Sequence, residues 1–176
     1  MEPFETTFEK ALKGLRELGM EVVIVDAKGQ DYFGDLDGAA VYVGDSLTWE
    51  MKLFSMVHLT AHNYQWAVSG RYAEIGSQLF YKPDQDLIQE LMDYEVDAAA
   101  ISLSLLHELG IHHLDQWYTR LSRADLAYLD VYYHTGESRP LETFHEAEVE
   151  PFAEKPLPAV SGFRRRVKIQ KGVVIY

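Results

Sequence analysis

Cysteine is absent from the 176 residues. No disulfide can form and no thiolate can bind a metal, so any metal-ligating set has to come from His, Asp and Glu. Positive charge is scarce as well. Sixteen Lys and Arg stand against 28 Asp and Glu, for a net charge of -12 and a pI near 4.9. A body of that sign repels nucleic-acid backbones and anionic lipid, which excludes non-specific grip on either and leaves room only for a local basic patch. Long apolar runs are missing, none approaching the ~20 residues that cross a bilayer. The first residues, Met1-Glu2-Pro3-Phe4-Glu5, lack the basic flank and apolar core of a signal peptide. These absences lead to the expectation of a cytoplasmic protein with no membrane partner. Internal repeats are absent too.

What is present suits a folded domain. At 47% apolar and 12% aromatic residues the chain can bury a core, and its length suggests one domain with an appendage. Phe4, Phe8, Leu12 and Leu15 recur at helical spacing, with Pro3 suited to a first turn and Gly19 to a C-terminal cap. "MEVVIVDA" (20–27) reads as a buried strand and "AAVYVG" (39–44) as a second, joined by a Gly- and Asp-rich loop or tight hairpin connection. Asp45 and Ser46 offer caps for a helix over about 48–67, which Gly70 would close. The segment from Asp84 to about Gly110 favours helix, with Ala98, Ala99 and Ala100 as strong formers. "HHLDQWYTRL" reads as a short further helix, and Ser122 with Asp125 as a capping pattern ahead of another, "LAYLDVYYH". Residues 137–160 carry four prolines among glutamates and read as an acidic linker or arm. Residues 161–176 are basic and β-prone, as an edge strand or a hairpin turning at Lys171-Gly172. The expected organisation is a domain over 1–136, the arm, and this terminal segment. Arg164, Arg165 and Arg166 offer the one place for nucleic acid or an acidic partner; the plainer reading is a tail that neutralises its own acidic body. Trp49, Trp66, Trp117 and the tyrosines read mainly as core.

The chemistry concentrates in "LFSMVHLTAHNYQW" (53–66). His58 and His62 are four apart, so on a helix they share a face with Cβ atoms about 6 Å apart, a spacing that suits two imidazoles converging on one tetrahedral ion. The same frame carries H-E-x-x-H in zinc peptidases; here Leu59 stands where the glutamate would be. The plain alternative is one histidine packed in the core and the other in solvent. A third ligand would have to be a carboxylate or histidine, and Glu95 and Asp97 on the next long helix are candidates. "HELGIHH" (107–113) is a decoy: His107 and His112 are five apart, about 140° off a common helical face, so neither His112, His113 nor Glu108 restores the motif.

"LFSMVHLTAH" and "EVDAAAISLSLL" (95–106) resemble the motif helix and the later ligand helix of the ImmA/IrrE zinc metallopeptidases. Phe54, Ser55, Met56, His58 and His62 are in step in the first, and Glu95, Asp97, Ala98, Leu105 and Leu106 in the second. The order helix, strand, strand, motif helix is also similar, and the likeness spans roughly residues 5–135. The resemblance implies an α+β fold: a small β-sheet packed against several helices, a zincin-like metallopeptidase core with the β-prone extension after it. It implies zinc as cofactor and His58, His62 and Glu95 as its ligands. The family's general base falls on Leu59, which can neither take a proton from water nor hand one to a leaving amine. Ala61 replaces a glycine, and Leu105-Leu106-His107 departs from the family's ending. Members of the family are cytosolic peptidases, several of which cleave helix-turn-helix repressors in mobile elements such as phages. Three readings follow. The first is a metallopeptidase-like regulatory protein that keeps its metal, has lost its base and acts by binding a repressor-like protein. The second is a zinc peptidase with a base from elsewhere, such as Asp97, Glu108 or a group of the substrate. The third is a metal-free interaction protein on the same fold.

Overall fold

A computed structural model of the chain describes residues 3–26, 28, 29, 32–146 and 149–167. It is an α+β fold of five α-helices and one three-stranded mixed sheet. Helix α1 (Phe4–Glu17) buries Phe8, Ala11, Leu12 and Leu15 and ends where Gly19, at φ 87°, turns the chain into β1 (Glu21–Val25). Strand β3 (Ala40–Gly44) lies at the centre of the sheet, parallel to β1 and antiparallel to the short β2 (Gly34–Leu36). The stretch 20–27, expected as a buried strand, is buried only at its start, and its exposure rises along one face. Met20 and Val22 are buried, whereas Ile24 is 41% exposed on this edge strand.

Asp37 organises the β2–β3 turn. Its Oδ1 accepts from the Ala39 and Ala40 amides at 2.9 and 2.8 Å, and its Oδ2 from the Tyr42 hydroxyl at 3.0 Å and Arg165 Nε at 2.5 Å. Burial would push this carboxyl up, but those donors together hold it below the usual carboxylate range. Gly38 takes the positive φ of 94° that the turn needs. The Arg166 amide donates to the Asp37 carbonyl at 2.7 Å. Through Val167 the basic segment is therefore irregular backbone clamped to the turn, where a strand was expected. Residues 168–176, with the expected hairpin at Lys171-Gly172, lie outside the described residues.

Helix α2 (Trp49–Val68) crosses the sheet, capped by Thr48, whose hydroxyl accepts from the Met51 amide at 3.2 Å. Asp45 and Ser46, the expected caps, precede the helix by one turn. The helix sits so close to β2 that a Cβ on Gly34 would lie 2.6 Å from Ser55 Oγ and 2.7 Å from Leu59 Cδ1. Gly70 opens the short helix α3 (Gly70–Gly76) instead of closing a segment, because Ser69 caps the new helix. Helix α4 (Gln85–Glu108) is capped by Asp84 and packs along α2. Helix α5 (Asp115–Thr135) is continuous where two helices were expected. No Gly or Pro interrupts residues 115–135, and Ser122 is buried in mid-helix, so the Ser122/Asp125 pair caps nothing.

The arm over 137–160 is pinned at several points. Its Leu141–Phe144 3-10 turn packs on α5. Phe152 is buried under the Arg123 guanidinium, 4.2 Å from its ring centroid. Glu154 meets His107, and Lys155 meets Asp97. Among the described residues no helix is long and apolar enough to cross a membrane.

Candidate metal centre

Helix geometry puts His58 and His62 one turn apart on the α2 face that meets α4, and α4 brings Glu95 to them. His58 Nε2 and His62 Nε2 are 3.0 Å apart, and each lies 3.2 Å from Glu95 Oε2. A tetrahedral ion with bonds of ~2.0–2.1 Å holds its donors roughly 3.3 Å apart. The triangle of donor atoms is thus slightly tighter than a metal would set it. The group lies close enough to hold a metal ion. The three side chains expose only 12%, 6% and 15% of their surface. Burial alone would raise the Glu95 carboxyl, but the two imidazoles beside it hold it well below the usual range, so it stays an anion and a donor.

The tautomer of His62 follows from its neighbours. Gln65, one turn further along α2, gives its amide N–H groups to the Tyr94 carbonyl and to Asp97 Oδ2, both at 2.9 Å. Both partners only accept, which fixes the amide's orientation and leaves Gln65 Oε1 facing His62 Nδ1 at 2.8 Å. His62 Nδ1 therefore carries a proton, so a neutral His62 presents its lone pair on Nε2, the atom aimed at Glu95. Lys155 from the arm completes the chain by pairing with Asp97. Supports of this kind orient a ligating histidine and raise its basicity. Aromatic rings wall the pair: Tyr94 stacks on His62 with centroids 4.4 Å apart, and Phe54 on His58 at 5.6 Å. Tyr118 of α5, fully buried, brings its hydroxyl to 3.4 Å from His58 Nδ1.

The other residues singled out in the sequence stand elsewhere or play other parts. Asp97 supports Gln65 and is occupied by Lys155, so it is not a free base. His107 lies between Asp115 at 2.8 Å and Glu154 at 3.1 Å, and with Glu108, His112 and His113 it is outside the donor group. Leu59 is 4% exposed and packs toward Gly34 of β2, so the position next to the first histidine is a sheet contact and dry. Arg165 is engaged by Asp37. Gln65, Tyr94 and Tyr118 gained no part in the site from sequence. For Gln65 the signal was its place one turn from His62; for Tyr118 of α5 no local signal existed. Comparison with known proteins yields nothing to set beside this centre: no family model, no curated protein and no solved structure matches the chain.

Proposed function

We propose that the protein is a metallopeptidase-like regulatory protein that holds a divalent cation, zinc by the chemistry of its donors, between His58, His62 and Glu95. The two-imidazole, one-carboxylate set is of the kind zinc takes in zincin-type peptidases. The observation that carries the reading is the mutual 3.0–3.2 Å spacing of the three donor atoms, together with the Gln65 contact that leaves the His62 Nε2 lone pair free. Bound there, zinc would supply Lewis acidity. Position 59, where a zinc peptidase of this type carries its general base, offers no proton carrier, since Leu59 is apolar and turned to the sheet.

The protein accordingly acts by holding a protein partner of the repressor type. In this reading the helices around the site form a zincin-like core, and Asp37 engages Arg165 as the basic segment returns to the acidic body. The test is direct. Purified protein is titrated with zinc against a chromophoric chelator, then assayed for proteolysis and for complex formation with co-encoded helix-turn-helix proteins. Saturable one-to-one zinc binding that His62→Ala abolishes, with partner capture and no cleavage, is the expected result. Chelator-sensitive cleavage of the partner would overturn the binding-only part, and absence of zinc binding would overturn the whole.

A further inference from the structure

Each of the two histidines has a partner at its far ring nitrogen, and the partners differ in kind. His62 Nδ1 faces the Gln65 amide oxygen at 2.8 Å, which can only accept. His58 Nδ1 faces the Tyr118 hydroxyl at 3.4 Å, which can donate or accept. Packing fixes the His58 ring against that hydroxyl. Phe54 stacks on it at an interplanar angle of 7°, and the His62 ring meets it edge-on with centroids 4.6 Å apart. Tyr118 is itself 0% exposed and packs on Phe54, with centroids 5.4 Å apart. The O–H bond is what remains able to turn. It need not point at His58, because Ser102 and Ser122 also adjoin the hydroxyl. Among the described residues the buried Ser122 Oγ makes no hydrogen bond, so it can accept one.

The donor triangle decides which way that bond points. In protein stripped of metal, His58 Nε2, His62 Nε2 and Glu95 Oε2 meet at 3.0–3.2 Å. Three lone-pair atoms at that range repel unless one of them carries a proton. Glu95 is an anion, and Gln65 keeps the proton of a neutral His62 on Nδ1. The proton therefore belongs on His58 Nε2, which leaves a lone pair on His58 Nδ1 and makes the Tyr118 hydroxyl its donor. A ligating His58 needs the other tautomer, with the lone pair on Nε2, the proton on Nδ1 and the Tyr118 oxygen as acceptor. We propose that Tyr118 is the positioning residue of His58, and that its hydroxyl reverses from donor to acceptor between these two forms. The inference rests on the metal reading above and deepens it. The protons balance: His58 gives one up at Nε2 and takes one at Nδ1 by exchange with water, and the phenol keeps its own, turned toward Ser122. Gln65 thus presets one ligand while Tyr118 follows the other. Helix α5, which carries Tyr118, joins α2 and α4 in building the centre.

Nitrogen-15 NMR reads the tautomers directly, because protonated and unprotonated ring nitrogens resonate far apart. Above pH ~8, past the range in which histidine ordinarily changes charge, metal-free wild-type protein is expected to show opposite tautomers: His58 protonated on Nε2 and His62 on Nδ1. Loaded with zinc, both rings are expected to carry the proton on Nδ1. Tyr118→Phe keeps the buried ring and removes only the hydroxyl. Its zinc affinity is expected to fall roughly 10-fold, the lower end of what loss of an outer-shell partner costs, because the contact is long. The wild-type tautomers are read without any substitution, so they test the assignment whether or not the variant folds. A proton on Nδ1 of metal-free His58, or wild-type zinc affinity in folded Tyr118→Phe, would overturn the Tyr118 assignment while leaving the three-ligand site standing. Wild-type protein that takes up no zinc would remove the metal reading itself, and this inference with it.

Discussion

Gln65→Leu is the substitution that separates metal-site support from core packing. Leucine nearly conserves the volume, so the loss is polar rather than a cavity. Three hydrogen bonds disappear: from the amide to Tyr94 O and Asp97 Oδ2, and from His62 Nδ1 to Gln65 Oε1. Each contributes about 1 kcal/mol net, and the His62 N–H that loses its acceptor adds a penalty that leucine burial offsets in part, giving a loss of about 2–4 kcal/mol. For a chain of this size that is a fall of roughly 6–12 °C in melting temperature, read by circular dichroism on metal-free protein. The second readout is zinc affinity. Without its acceptor at Nδ1, His62 can carry its proton on Nε2, the ligating atom, and affinity is expected to fall by about 10–100-fold. Gln65→Glu sharpens the test: it still accepts from His62 Nδ1 but cannot donate to Tyr94 and Asp97, so it keeps zinc affinity better than leucine does while also losing stability. Unchanged zinc affinity in Gln65→Leu, with stability lowered as expected, would refute the claim that this contact sets the ligand's tautomer.

Other outcomes follow from the same structure. Leu59→Glu, which would restore the family motif on paper, puts a carboxyl against β2 where Leu59 is 4% exposed; a loss of about 3–5 kcal/mol in chemical denaturation is expected, and a stable, proteolytically active variant would contradict the packing described. Asp37→Ala is expected to cost about 2–4 kcal/mol through its backbone and Tyr42 bonds, and because the native carboxyl is held below its ordinary value, the stability it contributes is full above that value and is lost as pH falls below it. An acid titration of wild type and Asp37→Ala should therefore converge only at low pH. Phe152→Ala is expected to speed proteolytic cutting of the arm over residues 137–160, which mass spectrometry can locate; an unchanged cleavage pattern would mean the Arg123–Phe152 contact does not anchor it.

How much of this was legible in the sequence differs by element, for physical reasons. Helix α1 announces itself because its apolar residues repeat at helical spacing, α2 through capping residues ahead of the two histidines, and α4 through its run of strong helix formers. Strand β2 is three residues, Gly34-Asp35-Leu36, too short for alternation to register, and it exists because it pairs with β3. Ser122 and Asp125 mimic a cap, yet unbroken helix formers around them let α5 run through. His58 and His62 are a local pattern and readable; Glu95 entered through the resemblance of its segment to a ligand helix. Tyr118 approaches the site only through the packing of α5 on α4, sixty residues on from His58, and no periodicity carries such a contact. Leu59 was legible as a departure from the H-E-x-x-H frame, while its packing, the close approach of β2 at Gly34, needed the fold.

The account turns on whether His58, His62 and Glu95 hold an ion. Zinc K-edge absorption on protein loaded with zinc and freed of excess metal tests this most directly, alongside His62→Ala and Glu95→Gln. One zinc per chain, with a first shell of two imidazoles and oxygen donors that both substitutions destroy, is the result expected. A chain that retains no zinc, or retains it equally well without His62 and Glu95, would contradict the account at its centre.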